Sequence, residues 1–225
     1  MHVIIGMLAK DRAWCLPEWF TSIWSQEIDG DLDVVSLVSP SEDGTEQLII
    51  DQGVHVIKDD RPGRTTQEID GHLWGSMETY EYMADIQNQL VDYACGENCD
   101  YFFSLDSDII LPPHAIKDLI DYMKDGHPGV SAPAVNLAVG DTAWNTMSWV
   151  NQDYPVMATR AVGIPSGGQA DVVLAAMMMD RLGMQCRYEA HNQAHDVGFC
   201  VRADRLDIPR WWVPEIRCTH LMRRC

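Results

Sequence analysis

Four short runs constrain this chain more than any other feature: HVIIGMLA (2–9), LDVVSLVS (32–39), VHVIK (54–58) and YFFSLD (101–106). Most are apolar almost throughout rather than at every second position. Such a run has both faces to bury, as a strand inside a parallel sheet does. Helical periodicity fills the gaps between them. Pro17 sits at a helix start, and Leu16, Trp19, Phe20, Ile23 and Trp24 recur at i, i+3, i+4, i+7 and i+8. A longer helix is expected over about 74–94, with Met77, Tyr80, Ala84 and Val91 on one face. Pro112 and Pro113 start another, and VSAPAV (130–135) reads as a fifth strand. DVVLAAMMMD (171–180) reads as one buried strand, although its period also allows a helix; 194–206 reads as helix and WWV (211–213) as a last short strand. Residues 60–72 read as a polar loop, and 136–170 follow no clear period. Strands alternating with helices predict a single α/β domain over 1–225, with a mainly parallel sheet flanked by helices.

The charge balance narrows the partners. Sixteen Lys and Arg stand against 34 Asp and Glu, a formal charge of −18. Such a chain is repelled by nucleic acid except where basic residues gather, as they do among Arg202, Arg205, Arg210, Arg217, Arg223 and Arg224. Phosphate binding by so acidic a protein calls for a local cation. No apolar run approaches the ~20 residues of a membrane span. The opening MHVIIGMLAKDR has neither the basic leader nor the apolar length of a signal peptide. The seven cysteines include no CxxC pair, so reduced thiols and a cytoplasmic location are expected.

The fourth run ends in an unusual way. YFFSLDSDIILPPH (101–114) sets Asp106 and Asp108 one residue apart at the end of an apolar strand. Ionised carboxylates are costly there unless paired or bound to a metal. In a parallel α/β sheet the ligand crevice lies beyond the carboxyl ends of the strands. If the strand stays extended, both carboxylates face one way and can share a hard cation such as magnesium or manganese. A blander reading makes each a turn or helix cap. The apolar approach and the ILPP exit favour the site.

This segment resembles the Asp-x-Asp motif of glycosyltransferases with the GT-A fold, family 2-like. IIGMLAKDRAWCLPEW is similar to their first strand and nucleotide-binding turn, SPSEDGT to the turn after their second strand, and AHDVGFCVRADRLDIPRWWVPEIRCTHL to their later catalytic stretch. The resemblance covers most of the chain in the expected order. It implies that Asp108 ligates a divalent metal (Mn2+ or Mg2+), that Asp106 contacts the metal or the ribose, and that His220 is a third ligand. It implies that Asp196 takes the proton from an acceptor hydroxyl, with inversion at the sugar. Leu8, Ala9, Asp11 and Asp43 would hold the base of a UDP- or GDP-linked sugar. Apart from the resemblance, Arg64 in the polar loop is a candidate for a phosphate, with a solvated loop arginine the alternative. About 1–110 would then be a nucleotide-binding half and 111–225 an acceptor-binding half. At His195 the sequence departs from the glutamate usual in such proteins.

The acceptor is open: a small molecule, a glycan, or a modified nucleobase, with a neutral one favoured by the charge. Trp144 and Trp149 are candidate stacking platforms for it. Trp211 and Trp212, on a strand, should put one ring inside and one outside. Met177–Met179 read as core filling, and His191 and His195 as hydrogen-bonded or solvated histidines rather than a zinc pair. Two other functions share these residues. A nucleotidyltransferase also uses paired acids on an α/β sheet, but LAKDRAW lacks its glycine- and arginine-rich loop. A non-catalytic nucleotide-sugar or metal-binding module is kept open by His195 in place of glutamate, while the intact Asp108 and His220 weigh against it.

Overall fold

A computed structural model describes residues 1–61, 66–69, 72–137, 143–150, 158–160 and 166–221. In chain order its elements are β1 (His2–Ala9), α1 (Leu16–Trp24), β2 (Asp31–Val38), α2 (Thr45–Asp51), β3 (His55–Lys58), β4 (Thr66–Ile69), β5 (His72–Gly75) and α3 (Met77–Gly96). Then follow β6 (Tyr101–Leu105), β7 (Ile109–Ile110), α4 (Ala115–Lys124), β8 (Val130–Val135), β9 (Thr146–Trp149) and β10 (Ala158–Arg160). The chain continues with β11 (Gly168–Gln169), β12 (Val172–Val173), β13 (Ala176–Met179), α5 (His195–Arg205) and β14 (Arg210–His220). The main sheet runs β11-β14-β8-β13-β6-β1-β2-β3. β6, β1, β2 and β3 are parallel neighbours, as are β8 and β14. β13 runs antiparallel between β6 and β8, and β11 runs antiparallel to β14 at the edge.

Alternation along each strand feeds two apolar layers. Ile4, Phe102, Met177 and Met179 face a layer closed by α3 and α5. Val3, Ile5, Met7, Phe103 and Met178 face the other, closed by α1 and α4. The methionine run is core, as its composition predicts. Trp212 is 2% exposed while Trp211 is half-buried, as expected of neighbouring strand residues.

The sequence reading needs four adjustments here. The 60–72 loop contains β4, which pairs antiparallel with β5. The 171–180 run is two strands, because Ala175 takes a left-handed backbone (φ 65°) between them. The expected short strand at 211–213 is the start of an eleven-residue β14. A register shift between Val213 and Arg217 lets β14 continue along β8 and then meet β7. Trp144 is buried and packs edge-on against Trp212, 6.1 Å between ring centres. It is core, not a surface for an acceptor.

Candidate active site

β6 stops at Leu105, and the Asp-Ser-Asp triplet is a turn rather than extended strand. The Ile109 N–H donates to the Asp106 carbonyl (3.2 Å). The indole N–H of buried Trp19 donates to the same oxygen (3.1 Å). The two carboxylates therefore come together by a turn, not by strand alternation. Three segments hold that turn. The Asp106 N–H donates to the Ala175 carbonyl (2.9 Å), and the Leu221 N–H to the Asp108 carbonyl (2.8 Å). From the β1–α1 loop, Arg12 Nε donates to Ser107 Oγ (3.1 Å) and the Cys15 thiol to the Ser107 carbonyl (3.3 Å).

The side chains of the turn face charged neighbours. Asp108 Oδ1 lies 3.6 Å from His220 Nε2, and its Oδ2 lies 3.7 Å from Arg12 Nη2. Burial alone would raise the Asp108 carboxyl; the bond from His220 and the Arg12 charge outweigh it and hold it below the usual range. Asp106 opens to the cleft but is walled by protein. Desolvation, then the negative charges of Asp196 and Asp108, push its carboxyl well above the usual range. A cluster in this state is short of positive charge.

A hard divalent cation fits that shortage. Carboxylate oxygens and an imidazole nitrogen are donors that manganese accepts. His220 Nδ1 is buried without a hydrogen-bond partner, so the ring's polar edge is incomplete in the free chain. Among the described residues no three His, Cys, Asp or Glu side chains are grouped to hold a metal unaided. The donor set is thus an open one, suited to a cation that keeps waters and shares phosphate oxygens.

Across the cleft, α5 begins at His195. Asp196 Oδ2 accepts the Ala175 N–H (3.2 Å), and its Oδ1 lies 3.3 Å from His195 Nε2. Ala175 therefore ties both acids through one residue: its carbonyl holds Asp106 and its N–H holds Asp196.

Beside these acids a cavity of about 400 Å³ opens beyond the carboxyl ends of β1 and β2. Leu8, Ala9 and Arg12 form one side, Tyr80, Tyr82, Met83 and Ile86 of α3 another, and His195 a third. Leu8 and Ala9, expected from the resemblance to hold the base, line this cavity. Asp11 and Asp43 do not line it. Asp43 accepts the N–H groups of Ala13 (3.0 Å) and Thr45 (3.0 Å) and the Thr45 hydroxyl (2.5 Å), stitching the β1–α1 loop to the β2–α2 turn. Asp11, exposed at φ 53°, donates its N–H to Ser41 Oγ (3.0 Å) in the same seam. Arg64 lies outside the described residues, as do Arg223 and Arg224.

Sequence reasoning missed Arg12 and a clasp under the cavity. Buried Asp59 accepts the Tyr82 hydroxyl (2.7 Å) and Arg61 Nε (2.7 Å). The Arg61 guanidinium then lies 4.9 Å from the Tyr82 ring centre and reaches Asp85 (2.7 Å). The available signal is the adjacent pair Asp59 and Asp60 just past the carboxyl end of β3.

No protein-family model and no curated protein matches the sequence. Solved structures do match. TarS of S. aureus aligns over 99% of this chain with a TM-score of 0.67 at 11% identity. GalNAc-T7, solved with UDP, GalNAc and Mn2+, aligns over 98% with a TM-score of 0.67 at 12% identity. The chain has the GT-A fold. The sheet-and-cleft arrangement above is that fold's, and the expected fold class is borne out. A197 from STIV also shares it, at TM-score 0.58 and 9% identity over 99% of this chain and 87% of its own. The chain spans 37% of TarS and 44% of GalNAc-T7. Identities this low carry the GT-A fold and no further. Among the described residues no helix is long and apolar enough to cross a membrane.

Proposed function

We propose that the protein transfers a sugar from a nucleotide-sugar donor to an acceptor hydroxyl, with a divalent metal at the Asp-Ser-Asp turn. One observation carries this reading: in a GT-A fold, at the carboxyl end of β6, Asp108 faces both His220 and Arg12 beside a cavity of nucleoside size. A TarS structure in complex with UDP and the GalNAc-T7 structure with UDP and Mn2+ support the same chemistry. Asp106, Asp108 and His220 would hold the metal, which would neutralise charge on the departing diphosphate.

The chain's own residues do the rest. The apolar wall of Leu8, Tyr80, Met83 and Ile86 takes the nucleobase and ribose. Arg12 lies between that wall and the acids, placed to meet a diphosphate oxygen as a guanidinium can. The start of α5, with Asp196 held by the Ala175 N–H, provides the proton acceptor that an attacking hydroxyl needs. Attack from that side, opposite the leaving group, gives inversion. A net charge of −18 favours a neutral acceptor over a polyanion.

The test is direct. With Mn2+ present, a panel of UDP- and GDP-sugars is screened for thermal shift and nucleotide release. Manganese-dependent binding of UDP or GDP with slow release of nucleotide from one donor is expected. Nucleotide binding with no release from any donor would favour a non-catalytic binding module.

A further inference from the structure

We infer that Ser39 reads the nucleobase, as a hydrogen-bond acceptor whose direction is fixed by Tyr82 and Asp59 behind it, and that the base it takes carries an imide N–H: uracil, or thymine with the same edge. This names the nucleotide of the donor, so it rests on the glycosyl-transfer reading. Asp43, expected to hold the base, is engaged in a loop seam and does not line the cavity. Another group must supply the polar edge that the apolar wall lacks. Ser39 and Tyr82 both line the cavity, one just past the end of β2 and the other on α3.

The hydrogen bonds behind Ser39 run in one direction. Asp59, just past β3, is held at the end of β2 by its N–H, which donates to the Val38 carbonyl (3.0 Å). Desolvation would raise its carboxyl, but the bonds from Arg61 and Tyr82 prevail, so it is ionised near neutral pH and can only accept. The Tyr82 hydroxyl, 2.7 Å away, is therefore the donor. Burial raises that phenol, which keeps its single proton. At the 3.2 Å contact between Ser39 Oγ and the Tyr82 oxygen the proton must then come from the serine. Ser39 gives its own proton to Tyr82 and turns only lone pairs to the cavity.

An acceptor fixed in that place sorts the bases. Uracil and thymine offer it an imide N–H. Cytosine and adenine have a bare ring nitrogen at the centre of that edge, and lone pairs facing each other leave both groups unpaired. Turning the serine hydroxyl toward them would break its bond to Tyr82, whose own proton is held by Asp59. Guanine brings two adjacent donors, which a carboxylate meets well; among the described residues no carboxylate lines the cavity. An imide also has a carbonyl on each side of its N–H, and donors stand near for them. The Tyr80 oxygen accepts the Gly75 N–H (3.0 Å) and so keeps its proton to give, and Lys10 lines the same cavity.

The experiment titrates the full chain by calorimetry with UDP, dTDP, CDP, ADP and GDP, each with Mn2+. UDP or dTDP should bind about tenfold or more tightly than the other three, and the tighter of the two names the base. Ser39→Ala should lose most of that preference while melting near the native temperature. Tyr82→Phe should lose it by another route, a rise in CDP affinity, because the serine hydroxyl is released to donate. A merely structural role for either residue would weaken all the nucleotides alike and leave the preference unchanged, and that result in either variant would overturn the assignment. So would CDP, ADP or GDP binding to the native chain as tightly as the better of UDP and dTDP. A native chain that binds none of these nucleotides is a different failure: it removes the transfer reading itself.

Discussion

Ala175 shows how much can hang on one residue. Its left-handed backbone (φ 65°) sets the two peptides that flank it, so that the N–H of one reaches Asp196 and the carbonyl of the other reaches Asp106. A non-glycine residue there costs about 1 kcal/mol or more. Ala175→Gly should therefore raise stability in chemical denaturation by about 0.5–1 kcal/mol, and leave nucleotide binding intact. A loss of stability would show that the methyl group matters more than the strain. At Asp108 the expectation is opposite in kind. Asp108→Ala should melt near the native temperature yet lose manganese-dependent binding of UDP in calorimetry, and unchanged binding would remove the metal assignment. Asp59 offers a pH test. Desolvation would raise its carboxyl, but bonds from Arg61 and Tyr82 prevail and hold it below the ordinary range. The unfolded chain then binds this proton more readily than the folded one. The resulting stability is present above about pH 4 and is lost as pH falls through the depressed value. Asp59→Asn should cost about 2 kcal/mol at pH 7, with the deficit shrinking on acidification below about pH 4.

At the scale of elements, the site depends on where α5 begins. Gly198 lies one turn into that helix, and a Cβ there would meet the Glu189 carbonyl oxygen at 1.9 Å. The helix can approach the 189–190 segment this closely only with glycine at the contact. Gly198→Ala must push α5 outward, and Asp196 and His195 move with it. A cost of about 2 kcal/mol or more is expected, and turnover should fall more steeply than nucleotide binding, because the Asp108 turn belongs to a different element. β14 makes a similar point. Its bulge after Val213 changes register, and only then does His220 come opposite Ile109 and within reach of Asp108. The expectation that His220 approaches Asp108 came from the family resemblance. Its delivery by a bulged strand was not legible in the sequence, since a bulge is set by the neighbours a strand meets.

For the whole molecule, charge is the property most open to test. At −18 the folded chain repels itself, so moderate sodium chloride should raise its melting temperature by screening. A melting temperature that falls with salt would mean that specific ion pairs, such as Arg61 with Asp59 and Asp85, outweigh the net repulsion. Weak interaction with duplex DNA is expected for the same reason, since a net charge of −18 opposes a polyanion.

Several features were determined by the sequence alone. The runs at 2–9, 32–39 and 101–106 read as buried strands because both their faces are apolar, whereas the run at 54–58 is a strand that the fold leaves half-exposed at the end of the sheet. Asp106 and Asp108 at the end of one of them point to a candidate site there, because a sheet of that kind binds its ligands beyond the carboxyl ends of its strands. What the tertiary structure decided was which polar groups meet. Arg12 reaches Ser107, Asp59 clasps Tyr82, and Asp43 stitches loops instead of lining the cavity, all through contacts between residues about 20 to 95 positions apart. No local period encodes such pairs. They follow from how helices pack and where strands break, and those are settled by the fold acting as one body.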